Sequence, residues 1–195
     1  MGTLCMSSRS IGRCVDINSS GKFIFLGGAR SGKSQMAELA IAKGHPAICY
    51  LATAPRAWSE ADPDFAARVR QHQERRGSNW HSVELAAPGD LYGFIERAEL
   101  PTLVDSVGGW IAGDPNFQPD LERLQAAIRD CQVPLSFVAE EVGLSVHPVS
   151  DAGRRYVELL GRTNQAIAGC VDRAFLVVAG RLTELYSPAY LEGRK

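Results

Sequence analysis

Residues 22–34 read KFIFLGGARSGKS, and this stretch decides the fold. KFIFL is a short run of aromatic and branched apolar side chains, the composition of a buried strand. Directly after it, Gly27, Gly32, Lys33 and Ser34 meet the pattern G-x-x-x-x-G-K-[ST]. Glycines at these places let the backbone curl closely around phosphate and present successive N–H donors at a helix N-terminus. A lysine then reaches the β- and γ-phosphates, and the hydroxyl after it is a ligand for Mg²⁺. Gly27, Gly28, Ala29, Arg30, Ser31, Gly32, Lys33 and Ser34 are therefore the candidate phosphate cradle. A plain Gly-rich strand–helix turn has the same composition. Context favours the cradle, because FIFL runs into the motif and QMAELAIAK, a good helix sequence, runs out of it.

Outward from this stretch, short apolar runs alternate with longer amphipathic ones. AICYLAT (47–53), TLVDSV (102–107), PLSFVAEEV (134–142) and AFLVVAG (174–180) read as further strands, with a weaker one at 80–85. Runs apolar throughout are expected of parallel strands covered on both faces. Helix patterns lie near 33–43, 62–76, 89–99, 118–131 and 150–170, and the segment GGWIAGDPNFQP (108–119) reads as a loop. The alternation predicts a single α/β P-loop domain with a mainly parallel sheet and helices on both faces. We place it at 22–187, after a flexible extension over 1–21 and before a tail at 188–195.

Bulk properties narrow the function. With 21 basic and 22 acidic side chains, the chain lacks the basic excess of a nucleic-acid binder. No apolar run reaches the roughly 18 residues a membrane span needs. The first twenty residues have no apolar core and make a poor signal peptide, and Met6 stands where a myristoylation pattern requires Ser or Thr. Five widely spaced cysteines, with no C-x-x-C pair, suggest neither zinc knuckle nor disulfide framework. A cytoplasmic protein with reduced thiols is expected.

A phosphate loop needs an acidic partner for its metal, usually at the end of another strand. Asp105 in TLVDS is the best placed candidate, and Glu140 and Glu141 at the end of SFVAEEV are the alternative. Among four histidines none has metal-ligand spacing. His72 in AARVRQHQERR differs from the rest, because helical spacing puts Arg68, Arg75 and Arg76 beside it. Such guanidiniums disfavour a protonated ring and could hold a triphosphate while the imidazole attacks phosphorus. A solvated basic helix face carries the same spacing, and since charge-rich helix faces are common, spacing alone favours that plainer reading.

Several segments taken together resemble one family. GGARSGKS, YLAT, ARVRQHQERR followed by NWHSVE, LVDS, EEVG, and GRTNQ before FLVVAG occur in the order of the bifunctional adenosylcobinamide kinase/adenosylcobinamide-phosphate guanylyltransferases of cobalamin assembly. The resemblance spans about residues 22 to 180. It implies a RecA-like sheet and a homo-oligomer, typically a trimer. It implies two reactions: an NTP such as ATP phosphorylates the corrinoid substrate, and GMP is then transferred from GTP through a guanylyl-histidine. His72 matches that histidine. The cradle, Ala52, Thr53, Ala54, Gln73, Glu74, Arg75, Arg76, Glu84 and Asp105 match nucleotide contacts, with Ser34 and Asp105 at Mg²⁺. This chain departs from the family pattern at SEADPDF (59–65), GGWIAGDP (108–115), Glu140 and SVHP (145–148).

Two other functions share parts of the pattern. Another P-loop kinase of small metabolites would use the cradle without His72. A regulatory GTPase would use Asp105 and Gly108 as D-x-x-G, although no N-K-x-D guanine reader follows.

Overall fold

A computed structural model of the chain describes residue 17 and residues 20–114, 116–144 and 148–188, with the Arg68 side chain outside that description. The extension expected over 1–21 and the tail over 188–195 fall almost entirely outside the described residues, as do Cys5, Cys14 and His147.

The chain runs β1 (Lys22–Gly27), α1 (Lys33–Ala42), β2 (Ile48–Ala52), α2 (Arg56–Ala61), α3 (Pro63–Arg75), β3 (Trp80–Glu84) and α4 (Asp90–Glu96). It continues through β4 (Thr102–Asp105), α5 (Val107–Ala112), α6 (Leu121–Asp130), β5 (Leu135–Glu140), α7 (Asp151–Ala168), β6 (Arg173–Val178) and β7 (Arg181–Leu185). The seven strands form one sheet in the order β3-β2-β4-β5-β1-β6-β7, parallel except for the last pair. This is the mainly parallel sheet that the strand–helix alternation predicts, in the RecA-like form that the resemblance implies.

Strand periodicity explains how the sheet buries both faces. Alternate residues of β1 point opposite ways. Ile24 and Leu26 join Leu51, Val104 and Phe137 beneath α4, α5, α6 and α7, while Phe23 and Phe25 join Leu103, Val138 and Phe175 beneath α1. Both layers are dry, so β1 has no solvated face and its apolar run is unbroken.

Three elements differ from expectation. The stretch 108–119 read as a loop, yet Val107–Ala112 is a helix. Its glycines are poor helix formers, but Trp110 is 1% exposed, donates from Nε1 to the Pro88 carbonyl at 2.7 Å, and packs edge-on against Tyr92 and Phe117. Ser106 caps this helix by accepting from the Gly109 N–H. Burial of one large ring thus overrides propensity. The short α2 follows Pro55 and was not foreseen. Nor was β7, which returns antiparallel to β6 through Ala179 and Gly180, both at positive φ. Two such residues give the tight hairpin turn whose twist suits the flanking strands.

Candidate nucleotide-binding and transfer site

Every parallel strand ends at one edge of the sheet, and the candidate residues collect there. In register, Gly27 lies opposite Glu140, Asp105 opposite both Val138 and Ala52, and Ala52 opposite Glu84. One strand, β5, stands between the loop strand β1 and the Asp105 strand β4. Glu84, on the outermost strand, is four strand spacings from Gly27, about 19 Å at about 4.8 Å each. A ligand touching both ends of this row has to be extended, as a nucleoside triphosphate is.

The cradle is curled and braced. Arg30 and Gly32 have positive φ, and Gly32 sits at the N-cap of α1. The Ser31 N–H donates to the Gly28 carbonyl, and the Gly180 N–H donates to the Ser31 carbonyl at 2.8 Å. The unforeseen β6–β7 turn is therefore the outer wall of the loop. A Cβ at Gly27 would lie 2.5 Å from the Val177 carbonyl oxygen and 2.6 Å from Ser31 Oγ, so that position has no room for one. Lys33 is buried; its Nζ reaches back to the Gly28 carbonyl at 3.4 Å and lies 3.7 Å from Glu140 Oε1.

The two acids proposed as alternatives stand side by side. Glu140 Oε2 accepts from the Gly108 N–H at 2.9 Å, and Asp105 Oδ2 accepts from the Tyr50 hydroxyl at 3.1 Å. Burial pushes the Asp105 carboxyl above its usual range; Glu140 adds to the rise, while His72, the Tyr50 hydrogen bond and Lys33 oppose it. The Tyr50 hydroxyl is likewise pushed well up, by burial and then by Asp105. Burial and Glu140 raise Tyr156 to about 12. Glu141 turns its side chain to the Gly143 N–H instead.

Gly108, the glycine of the D-x-x-G pattern, lies inside α5, where a Cβ would fall 2.1 Å from Glu140 Oε2. Close approach of that carboxylate is a reason for glycine here that has nothing to do with a GTPase switch.

His72 is brought to the same centre. α3 begins with Asp62 capping the Asp64 and Phe65 N–H groups and with Pro63 at its first position. It carries His72 in its last turn. The ring Nδ1 lies 3.9 Å from Asp105 Oδ2, 3.5 Å from Glu38 Oε1 and 3.2 Å from Arg75 Nη2.

The predicted ring of arginines is only partly present. Arg75 touches the imidazole. Arg76 does not: it is the C-cap of α3 and has extended backbone angles, so its side chain leaves the helical face. Its Nε donates to the His72 carbonyl, and its guanidinium covers the Tyr50 ring at 3.4 Å. Arg68 belongs to α3, its side chain outside the described residues. Among the described residues the charges facing the ring are thus mixed, two carboxylates and one guanidinium.

Thr53 donates its hydroxyl to the Ser106 carbonyl at 2.6 Å, which ties the end of β2 to the end of β4. Ala52 and Ala54 lie on the same edge, and Ala54 contacts the space beside Gly109. Gln73, Glu74 and Glu84 are exposed and outside the central cluster. Sequence reasoning missed Glu38 and Tyr50. Glu38 shares the buried stripe of α1 with Ala37 and Ile41. A carboxylate beside Ala37 and Ile41 on that stripe was the available signal.

Ser34, Asp105 and Glu140 offer hydroxyl and carboxylate oxygens, the hard donors Mg²⁺ prefers. Among the described residues no cluster of three or more His, Cys, Asp or Glu forms a closed metal cage. A donor set this sparse suits an ion that takes its remaining ligands from phosphate and water.

A family model described as cobinamide kinase / cobinamide phosphate guanyltransferase matches residues 23–185, a span that takes in the cradle, His72, Asp105 and Glu140. The chain belongs to that family. Similar members include the bifunctional adenosylcobalamin biosynthesis protein CobP of Pseudomonas aeruginosa, 33% identical over 80% of this chain and 92% of the relative. The proteins of the same description named CobU from Salmonella typhimurium and Escherichia coli are each 29% identical over 79% of this chain and 93% of theirs. Among solved structures, the flagellar accessory protein FlaH of Methanocaldococcus jannaschii is similar with a TM-score of 0.48 and 13% identity, over 86% of this chain and 76% of that one. Within the described residues, no helix of this family member is long and apolar enough to cross a membrane.

Proposed function

We propose that this chain phosphorylates the aminopropanol hydroxyl of adenosylcobinamide with a nucleoside triphosphate and then transfers GMP from GTP to that phosphate through His72. Family membership supports the pair of reactions. The observation that carries the assignment of His72 is its place: an imidazole 3.9 Å from Asp105, on the edge where Lys33 meets Glu140 at 3.7 Å.

In the phosphorylation, the acceptor hydroxyl oxygen bonds to the γ-phosphorus as the bond to the bridging oxygen breaks; the nucleoside diphosphate leaves and the hydroxyl proton passes to solvent. The cradle N–H groups and Lys33 hold the phosphates and offset the charge that develops on them. In the guanylyl transfer, an imidazole nitrogen bonds to the α-phosphorus of GTP, and pyrophosphate leaves. The phosphate oxygen of the corrinoid then attacks the same phosphorus, the P–N bond breaks, and the histidine is restored. Splitting one transfer into two attacks lowers each barrier. Ser34 and Asp105 would hold Mg²⁺, which would supply Lewis-acid charge against the phosphate oxygens. Arg75, beside His72, would meet phosphate, and Glu84 the far end of the nucleotide. Homo-oligomer formation belongs to the same proposal and is read by light scattering.

Incubation with α-labelled GTP followed by denaturation tests the assignment. A P–N adduct survives alkali and is lost in acid. His72→Ala should lose the label and the guanylyl transfer while keeping phosphorylation, and His81→Ala should keep both. Label persisting in His72→Ala, or lost in His81→Ala, overturns the assignment. An enzyme active in phosphorylation alone, with no adduct in the unaltered protein, would be the plain small-metabolite kinase.

A further inference from the structure

Glu38 is an acid out of place. It lies on the buried stripe of α1 with its side chain 9% exposed, and among the described residues its Oε1 has no hydrogen-bond partner. Burying a carboxylate oxygen without a donor incurs its full desolvation penalty. The possible donor beside it is His72 Nδ1, 3.5 Å away.

We infer that Glu38 is the positioning residue of His72, holding its proton on Nδ1 so that Nε2 carries the lone pair that attacks phosphorus. This rests on the reading of His72 as the guanylylated residue. The hydrogen-bond and ion-pair distances of the imidazole among the described residues all run from Nδ1: Arg75 at 3.2 Å, Glu38 at 3.5 Å and Asp105 at 3.9 Å. Nε2 is therefore the nitrogen left for a substrate, and it is nucleophilic only when the proton sits on the other one.

Two of the three neighbours compete over that proton. Arginine only donates, so a hydrogen bond from Arg75 to Nδ1 requires the lone pair there and moves the proton to Nε2. A carboxylate only accepts, so Glu38 draws the proton to Nδ1. Arg75 has a second acceptor, Glu38 Oε2, at 3.4 Å. Glu38 Oε1 has no second donor among the described residues. Only one arrangement satisfies all three groups: Nδ1–H donates to Oε1, and Arg75 donates to Oε2. Asp105 is farther away, and its nearer oxygen already accepts from Tyr50. When Nε2 bonds to the α-phosphorus and pyrophosphate leaves, the ring becomes an imidazolium that keeps its Nδ1 proton. The Glu38 carboxylate then faces a full positive charge, which strengthens the hydrogen bond at the moment it is needed.

The test uses the full chain with ring-¹⁵N histidine and the His72 ring neutral. The His72 signals, identified by their loss in His72→Ala, should show Nδ1 protonated and Nε2 bare. The reverse pattern overturns the proposal, and this measurement needs no variant at Glu38. In Glu38→Gln, single-turnover labelling by saturating α-labelled GTP should fall about 10- to 100-fold, the loss of a charge-assisted hydrogen bond. GTP affinity and the phosphorylation rate should stay within about threefold, and Glu38→Asp should recover part of the loss. Labelling at the unaltered rate, or affinity and phosphorylation falling in step with labelling, overturns it. Label surviving in His72→Ala refutes the parent reading instead, a result that the tautomer measurement does not depend on.

Discussion

Gly27 and Gly28 are adjacent glycines of the cradle, and the structure assigns them opposite tolerance. A Cβ on Gly27 would stand 2.5 Å from the Val177 carbonyl oxygen and 2.6 Å from Ser31 Oγ, while a Cβ on Gly28 meets nothing within 4 Å. The Val177 oxygen is backbone on β6, one of the two strands paired with β1, so it cannot swing aside as a side chain would. Ser31 is held by the Gly28 and Gly180 backbone bonds. Relief of the clash in Gly27→Ala must come from shifting strand or loop, and overpacking of this kind costs about 1–3 kcal/mol. For a domain of this size each kcal/mol lowers Tm by about 2–4 °C, so the expected fall is about 2–12 °C. Gly28→Ala should melt within about 1 °C of the unaltered protein, since neither space nor a positive φ opposes it. Thermal melting by circular dichroism without nucleotide reads both, and separates packing from any clash with ligand. Equal shifts in the two variants, or a larger one in Gly28→Ala, would refute the steric argument and the placement of β6 against the loop.

Other outcomes follow from the same centre. Lys33→Ala should weaken triphosphate binding about 10- to 100-fold by equilibrium titration, because a charge-assisted contact to phosphate is lost; unchanged affinity would show that the loop does not hold phosphate. Asp105→Asn should abolish Mg²⁺-dependent turnover in a protein that still melts cooperatively; an active Asp105→Asn beside a dead Glu140→Gln would move the metal ligand to β5. The raised carboxyl of Asp105 holds its proton more tightly folded than unfolded, so its contribution to stability falls as pH rises from about 3.9, the unfolded value, through the raised folded one. Asp105→Asn should flatten that part of the stability–pH curve in chemical denaturation, and an unchanged curve would refute it. Glu184 is the opposite case, held below its usual range by the Arg173 guanidinium, which binds it at 2.7 and 2.8 Å. Its contribution is present above the unfolded carboxylate value and lost as pH falls through the folded one. Glu184→Gln should cost roughly 0.5–1 kcal/mol at pH 7 and almost nothing near pH 3, and denaturation at the two pH values checks it.

What the sequence determined by itself was whatever depends on neighbours along the chain. The strand KFIFL, the curled glycine loop and the helix after it are local chemistry: apolar β-formers, residues free to take positive φ, then good helix formers. Thus β1, the cradle and α1 were legible, as were Asp105 at a strand end and His72 on a helix. Elements that exist through distant contacts were not. The helix holding Trp110 forms because a ring packs against Tyr92 and Phe117 and reaches the Pro88 carbonyl, against the propensity of its own glycines. The surroundings of His72 were misread for a related reason. Helical spacing puts Arg76 beside it, but the helix ends at Arg75, and the next guanidinium goes to Tyr50 on another strand. The acidic partners of His72, Glu38 and Asp105, lie on a helix and a strand that are 67 residues apart in the chain. They meet only because β1, β4 and β5 end at one edge of a parallel sheet, with α1 and α3 beside it. A strand pattern specifies which face of a residue is buried. Which strand lies beside which, and so which charges share a site, is set by the crossover connections and the packing that selects them.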